Sequence, residues 1–240
     1  MARTRQTPGS DVRGTSSSDD VANTIAHISR TIGEPTDWKT WPGGWPGDVE
    51  AALVDAVFSA RAVYNSKRGR GVKADVVAWR ATRARTHFTL DALLTEIDDV
   101  GPVEWARRFG NLQASPGRPP SAPGGTSKAS TVRQAAQALI DLGITTDTQI
   151  DFSNIDSVKR TLRSVPGIGY ATVNYFLILL GLPGVKPDRM IHRFLKDAAK
   201  HEFTDAAAEQ TITAAAQQLG VQPHVLDHAI WSFESKRAQA

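Results

Sequence analysis

The sequence contains no cysteine, and this absence excludes several kinds of stabilisation and chemistry. Without thiols there is no disulfide, no cysteine nucleophile and no four-cysteine iron–sulfur cluster. Long apolar runs are also missing, since none reaches the roughly 20 residues that a membrane-spanning helix requires. We find no secretory signal. We therefore expect a protein without membrane contact in the cytoplasm, associated with the nucleoid if the source is bacterial.

Strand-type alternation of apolar and polar residues is scarce, whereas helical spacing recurs along the chain. A chain of 240 residues can bury a substantial core, in one large domain or two small ones. The sequence therefore predicts an all-α fold. The predicted helices span residues 21–32, 48–64, 72–82, 90–97, 102–109, 130–142, 155–164, 170–180, 187–199, 205–219 and 223–236.

Three segments do not fit a helix. Residues 1–20 are rich in Ser, Thr, Arg and Asp, which predicts a disordered tail. Trp41-Pro-Gly-Gly-Trp45-Pro-Gly47 is a rigid turn sequence, after which Asp48 is placed to cap the next helix. Residues 114–129 are rich in Pro, Gly and Ser, which predicts a flexible insertion.

Basic residues are concentrated in one stretch, although the net charge is only +3. Between residues 61 and 87 the sequence has Asp75 as its single acid, and its basic residues are Arg61, Lys67, Arg68, Arg70, Lys73, Arg80, Arg83 and Arg85. Such a stretch favours salt-sensitive contacts with a phosphate backbone. The alternative is an ordinary solvated charged face.

The segment Val165-Pro166-Gly167-Ile168-Gly169 lies between two helical patterns. Pro166 and Gly167 end the first helix, and the apolar run from Tyr170 to Leu180 predicts a second, buried helix. Glycines let a phosphate approach the backbone closely, and the N–H groups of a helix's first turn favour an anion. Ile168 is expected to anchor the turn inward.

The segment from Leu162 to Thr172 resembles the helix-hairpin-helix of the HhH-GPD DNA glycosylases. Pro183-Gly184-Val185-Lys186-Pro187-Asp188 is similar to the Gly/Pro-rich loop and aspartate of that superfamily, and Arg193 follows as in its endonuclease III-like branch. Phe58-Ser59-Ala60-Arg61-Ala62 resembles the Leu-Ser-Ala-Gln-Ala segment of the same branch. Thr172-Val-Asn174-Tyr175-Phe176 is similar to the alkyladenine-type (3-methyladenine) glycosylases.

The resemblance implies two helical lobes of the HhH-GPD type with a DNA-binding groove and Asp188 between them. One lobe comprises residues 48–185, and the other is built from residues 21–47 and 186–240. Asp188 is then the candidate catalytic residue, and duplex DNA carrying a damaged or modified base is the partner of a monomer. The candidate DNA-binding residues are Pro166, Gly167, Ile168, Gly169, Tyr170, Ala171, Thr172, Arg61, Lys67, Arg68, Arg70 and Lys186.

The sequence departs from the family pattern at several positions. Bifunctional members carry a Schiff-base lysine where this chain has Ala171, so lyase chemistry by that route is not expected. Ala171 also replaces a Trp of many alkyladenine-type members, and Arg61 replaces the Gln that fills the gap left by the flipped base. No cofactor is expected, although the resemblance leaves room for a monovalent cation at the hairpin.

Asp188 has two interpretations. As a catalytic carboxylate it stabilises an oxocarbenium-like sugar and orients or deprotonates a water molecule. As a structural residue it is the N-cap of a helix that begins after Pro187. Lone residues such as His192 are more typical of packing or solvation, and the i, i+4 pair His224 and His228 lacks a third metal ligand. The six tryptophans are more typical of core packing than of base stacking.

The sequence leads to three hypotheses. The first is a monofunctional DNA glycosylase, with alkylated purines as the first candidate substrate, although the endonuclease III-like segment points to other lesions. The second is a non-catalytic helix-hairpin-helix module that only binds the DNA backbone. The third is a helical interaction protein in which the hairpin is merely a tight turn.

Overall fold

The structure is a computed structural model that describes residues 12–62, 64, 71–84, 86–109 and 126–237. Lys67, Arg68 and Arg70, three of the predicted DNA-binding residues, lie outside the described residues. The same holds for residues 1–11 of the predicted tail and for residues 114–125 of the predicted insertion.

The predicted all-α fold is confirmed over the described residues, which form eleven α-helices and two strands of two residues each. The helices are α1 (Ser18–Thr31), α2 (Val49–Ser59), α3 (Val72–Ala81), α4 (Leu90–Val100), α5 (Pro102–Phe109), α6 (Lys128–Asp141), α7 (Asp156–Ser164), α8 (Tyr170–Leu179), α9 (Arg189–Ala199), α10 (Asp205–Gln218) and α11 (Pro223–Arg237). Strands β1 (Val12–Arg13) and β2 (Glu202–Phe203) pair in parallel. No helix of the described ranges is long and apolar enough to cross a membrane.

Two boundaries predicted from composition are wrong. Residues 12–20 are ordered, because β1 pairs with β2 and Ser17 and Asp20 form a capping box that starts α1. Lys128 and Ala129 are not part of an insertion, since the Ser127 side chain accepts a hydrogen bond from Ser130 N and starts α6 before them. In both places a capping side chain starts the helix within a polar segment.

The chain divides into two compact units, Gly43–Leu182 and a second unit formed by Met1–Pro42 with Pro183–Ala240. The corresponding boundaries predicted from the sequence lie after residues 47 and 185. In the Gly43–Leu182 unit, α2 is buried along its whole length and packs against α8, α3 and α6. An all-round apolar helix of this kind belongs in a core.

The turn that begins this unit is docked onto α8. Gly44 lies so close to the end of α8 that an added Cβ would stand 2.2 Å from Leu179 O, so only glycine fits. The backbone N–H of Trp45 donates to Leu179 O (2.6 Å), and its indole Nε1 donates to Asp55 Oδ2 in α2 (2.8 Å). The predicted turn therefore fixes α8 against α2.

Part of the basic stretch serves this unit's own structure. Arg83 is almost fully buried in an ion pair with Glu50, and its guanidinium lies over the ring of Trp79. Arg80 pairs with the buried Asp48 (Nε–Oδ2 2.6 Å). The interpretation of the whole stretch as a phosphate-binding surface is therefore wrong for Arg83, whose side chain is 5% exposed, whereas the side chain of Arg80 is 43% exposed.

The unit that contains both ends of the chain is built from α1, α9, α10 and α11 around one apolar core. Two buried carboxylates tie its elements together. Asp20 accepts from the Ser17 hydroxyl (2.7 Å) and lies 2.7 Å from His201 Nε2, which joins α1 to the residue before β2. Glu234 of α11 forms an ion pair with Arg193 of α9.

Candidate functional site

The hairpin is a five-residue connection, Val165–Gly169, between α7 and α8. Val165 and Ile168 are buried, with Ile168 8% exposed, and they join the same core as Leu162 of α7. Ile168 N donates to Val165 O (3.1 Å), and Gly167 takes φ 93°, a left-handed conformation that favours glycine. The predicted anchoring role of Ile168 is confirmed, and it leaves the rest of the turn at the surface.

The exposed side of the hairpin is formed by Pro166 and Gly169. Gly169 is the N-cap residue of α8 and supplies no side-chain acceptor to the first turn of that helix. Its φ of −102° suits any residue, and a Cβ added to it would meet nothing within 4 Å. Neither backbone strain nor internal packing therefore explains a glycine at this position.

The first turn of α8 continues this surface. Tyr170, Ala171 and Thr172 are each half-buried, and the guanidinium of the exposed Arg163 lies 5.6 Å from the centroid of the Tyr170 ring. The contact places a positive charge beside the hairpin. A cation over an aromatic face at an exposed site contributes about 0.5–1 kcal/mol, which is enough to bias the position of the arginine.

The first turn of α6 holds both the hairpin and the turn that carries Arg61. Thr131 Oγ1 donates to Pro166 O (3.1 Å). Three residues earlier, the buried ammonium of Lys128 donates to Phe58 O (2.7 Å) and Ala60 O (2.6 Å) at the end of α2. Arg61 then follows in the left-handed region, at φ 53°, and is exposed. Lys128 and Thr131 were not identified as candidate residues from the sequence.

In the other unit, Asp188 is the N-cap of α9, as predicted. Its Oδ1 accepts from Met190 N (2.8 Å) and Ile191 N (3.4 Å), so the cap fixes the direction of the carboxylate. Its Oδ2 has no hydrogen-bond partner among the residues that the structure describes. Asp188 is half-buried and follows the buried Pro187. The capping and chemical roles are therefore compatible, because they use different oxygens.

A second carboxyl group lies beside the segment that leads into Asp188, and it was not identified from the sequence. Asp227, on the second turn of α11, accepts from the backbone N–H of Lys186 at Oδ1 (2.9 Å). Burial, and then the negative charge of Asp188, raise the pKa of Asp227 to about 8, while its bond from Lys186 N acts in the opposite direction. Asp227 lies 39 residues after Asp188, and no spacing rule links the two.

The other residues near Asp188 have internal partners. His192 Nε2 lies 2.8 Å from Asp205 Oδ1, and Arg193 is paired with Glu234. His224 packs edge-on against Trp41, with burial lowering the pKa of His224, and His228 stacks on Trp231. No cluster of metal-binding side chains occurs in the described part of the chain.

These features define an all-α protein in which an exposed hairpin and a half-buried aspartate each stand at the N-terminus of a helix. The chain belongs to the family described as a domain of unknown function, DUF8548, whose model matches residues 22–235. No curated protein matches the chain, and no solved structure does.

Proposed function

We propose that this protein is a monofunctional DNA glycosylase that flips a damaged or modified base out of duplex DNA and hydrolyses its N-glycosidic bond. The observation that carries the proposal is the hairpin. Its Gly169 is exposed, and neither backbone strain nor packing requires glycine there. As the N-cap of α8, Gly169 also supplies no side chain to the first turn of that helix. A backbone phosphate approaching the amides of this turn accounts for both features.

Asp188 supplies the chemistry in this proposal. Breaking the bond between C1′ and the base leaves the bonding electron pair on the base and positive charge on the sugar. An ionised carboxylate stabilises that charge. Water then adds to C1′, and its proton passes to Asp188 and from there to solvent. Oδ1 is held by the α9 amides, so Oδ2 is the oxygen available for this step.

The proposed substrate class is an alkylated purine in double-stranded DNA. Alkylation at a ring nitrogen gives the purine a positive charge, so the base leaves as a neutral molecule without a general acid. A base in the stack does not expose C1′, and flipping it out costs roughly a few kcal/mol. The hairpin amides, the guanidinium of Arg61 and the charge of Lys186 would offset this cost through contacts with the backbone. No cofactor takes part in the reaction.

The test compares wild type with Asp188→Asn on duplexes that carry alkylated, oxidised, deaminated or mismatched bases. Asparagine is as good an N-cap as aspartate, so the start of α9 is preserved while the charge is lost. We expect base release by wild type, measured by mass spectrometry, and a loss of at least about 100-fold in Asp188→Asn with duplex affinity largely kept. Full activity of Asp188→Asn would contradict the role of Asp188.

The matched control is Asp91→Asn, which removes one negative charge at the exposed N-terminal turn of α4. It is expected to keep wild-type base release. If both variants lost activity to the same extent, a general effect of net charge would explain the result in place of chemistry at Asp188.

A second candidate function is a non-catalytic module that binds the DNA backbone. The observation that favours it is the pairing of His192 with Asp205 and of Arg193 with Glu234, which leaves Asp188 beside residues already engaged in internal contacts. This function predicts salt-dependent duplex binding and no base release from any duplex, modified genomic DNA included.

A further inference from the structure

The carboxyl group of Asp227 and the segment before Asp188 are joined by two consecutive hydrogen bonds. Asp227 Oδ1 accepts from Lys186 N (2.9 Å), and Lys186 O in turn accepts from Asp188 N (2.6 Å). Asp227 belongs to α11, which packs against α9, the helix that Asp188 caps. The side chain of one helix therefore holds the turn that leads into the other.

The Asp188 carboxylate is thus fixed on both sides. The α9 amides hold its Oδ1, and the Lys186 turn holds its backbone N–H. Pro187, buried between them, contributes a fixed φ to the same turn. Without the bond to Asp227, the backbone at Lys186 loses a hydrogen bond that ties it to α11.

We propose that Asp227 is a positioning residue for Asp188, because its carboxyl group holds the turn that leads into the Asp188 cap. This inference rests on the proposed function of Asp188. It goes beyond that function by naming a second residue that the site depends on and by giving the site a pH dependence.

The electrostatics of the pair agree with its geometry. Burial raises the pKa of Asp227 most, the charge of Asp188 raises it further, and the bond from Lys186 N together with the charge of Lys186 lowers it, for a value of about 8. His224 and His228 flank Asp227 on its own helix. With this pKa, Asp227 keeps its proton at pH 7, chiefly because of its burial.

The first test needs no substrate. The titration of Asp227 is followed by carbon NMR of its side-chain carboxyl in the full chain, in wild type and in Asp188→Asn. We expect Asp227 to titrate far above the ordinary aspartate range in wild type and to shift downward in Asp188→Asn, because the neighbouring charge is gone. Ordinary titration of Asp227, unmoved by Asp188→Asn, would overturn the inference.

The second test measures single-turnover base release against pH. Asp227→Asn keeps an acceptor for Lys186 N but cannot ionise, so it separates the hydrogen bond from the charge of Asp227. The rate of wild type should change in a step near pH 8 as Asp227 ionises, whereas Asp227→Asn should lack this step. Asp227→Ala removes the acceptor, and misplacing the carboxylate should lower its rate by roughly 100-fold.

The outcomes separate this inference from the proposed function. A step near pH 8 that persists in Asp227→Asn, or an unchanged rate in Asp227→Ala, overturns the positioning role. If wild type releases no base from any duplex, the proposed function fails, and the NMR titration alone then decides whether Asp227 responds to Asp188. Asp151 is exposed, so Asp151→Asn serves as the control for the same chemical change at another position.

Discussion

The two glycines of the hairpin differ in what the fold demands of them. Gly167 adopts φ 93°, where a side chain strains the backbone, so glycine is required there for folding alone. Gly169 adopts an ordinary φ, and a Cβ at that position would point into open space. Neither positive φ nor packing therefore requires glycine at Gly169, which leaves room for a ligand to approach its backbone.

Gly169→Ala should separate ligand binding from stability. The free energy of unfolding is expected to change by less than about 0.5 kcal/mol, since nothing in the fold meets the added methyl group. Duplex affinity should fall by about 10-fold to 100-fold, because the methyl group obstructs an amide contact with a phosphate, worth roughly 1.5–3 kcal/mol. Urea unfolding and fluorescence anisotropy with a labelled duplex measure the two effects.

Gly14→Ala is the matched control. Gly14 is also free of neighbours within 4 Å and of positive φ, but it lies outside the hairpin. The variant is expected to keep wild-type stability and DNA affinity. Equal losses of affinity in Gly14→Ala and Gly169→Ala, or unchanged affinity in Gly169→Ala, would show that the hairpin is only a tight turn.

At the scale of single residues, the sequence predicted what depends on neighbours in the chain. The cap at Asp188 and the inward anchor at Ile168 follow from residues within a few positions, and both are confirmed. The partners of Arg83 and of Lys186 N could not be predicted in this way. Glu50 and Asp227 come from other helices, and only the packing of those helices brings them to these groups.

At the scale of elements, the N-terminal turn of α6 carries a buried lysine that binds the end of α2. Lys128 is 1% exposed, and its ammonium satisfies the carbonyls of Phe58 and Ala60, which the end of α2 leaves without helical partners. A cation at a helix C-terminus also interacts favourably with the helix dipole. The same helical turn binds the hairpin through Thr131, so one short stretch sets the backbone at Arg61 and at Pro166.

Lys128→Met tests this arrangement. Methionine fills a similar volume but donates no hydrogen bond, so each carbonyl left buried without a partner should cost about 1–3 kcal/mol of unfolding free energy. We also expect weaker duplex binding, because the turn that carries Arg61 loses its attachment. Denaturant unfolding and duplex titration on the same preparation give both quantities.

Lys236→Met makes the same chemical change on the exposed end of α11 and should leave stability within about 0.5 kcal/mol of wild type. If Lys128→Met were as stable as this control, the Lys128 ammonium would not be needed by the carbonyls at the end of α2.

Element positions were largely predictable, because apolar spacing and capping residues are local signals. Each of the eleven helices was predicted, with ends that differ by a few residues. The largest difference is at α2, which was expected to continue to Tyr64 and ends at Ser59. Its end is set by Lys128, 69 residues later, and by the left-handed Arg61, and neither is visible in local spacing.

On the scale of the whole molecule, the family match from residue 22 to 235 includes both the hairpin and Asp188. The unit built from both chain ends contains two carboxyl groups whose pKa values are shifted in opposite directions. Because the two pKa values are shifted in opposite directions, the two groups should change the stability of this unit with pH in opposite directions.

Asp20 should stabilise the fold at neutral pH and lose this effect in acid. Burial would raise the pKa of Asp20, but the hydrogen bonds from Ser17 and His201 outweigh it, and the pKa lies below its ordinary value. The stabilisation is therefore present above the unfolded-state pKa, about 3.9, and disappears as pH falls through the lower folded-state value. Asp20→Asn should be less stable than wild type at pH 7, with a difference that shrinks below about pH 4.

The contribution of Asp227 to the free energy of unfolding should depend on pH in the opposite way, and Asp227→Asn tests this. The pKa of Asp227 is raised to about 8, so the folded state holds a proton that the unfolded chain releases from about pH 4 upward. Wild type therefore loses stability between these values, by at most about 1.4 kcal/mol per pH unit, and Asp227→Asn does not. Urea unfolding from pH 3 to 9 should find Asp227→Asn increasingly more stable than wild type up to about pH 8, and constant beyond. A difference that does not change with pH would mean that Asp227 is ionised in the folded protein, and Asp188 would then stand beside a second permanent negative charge.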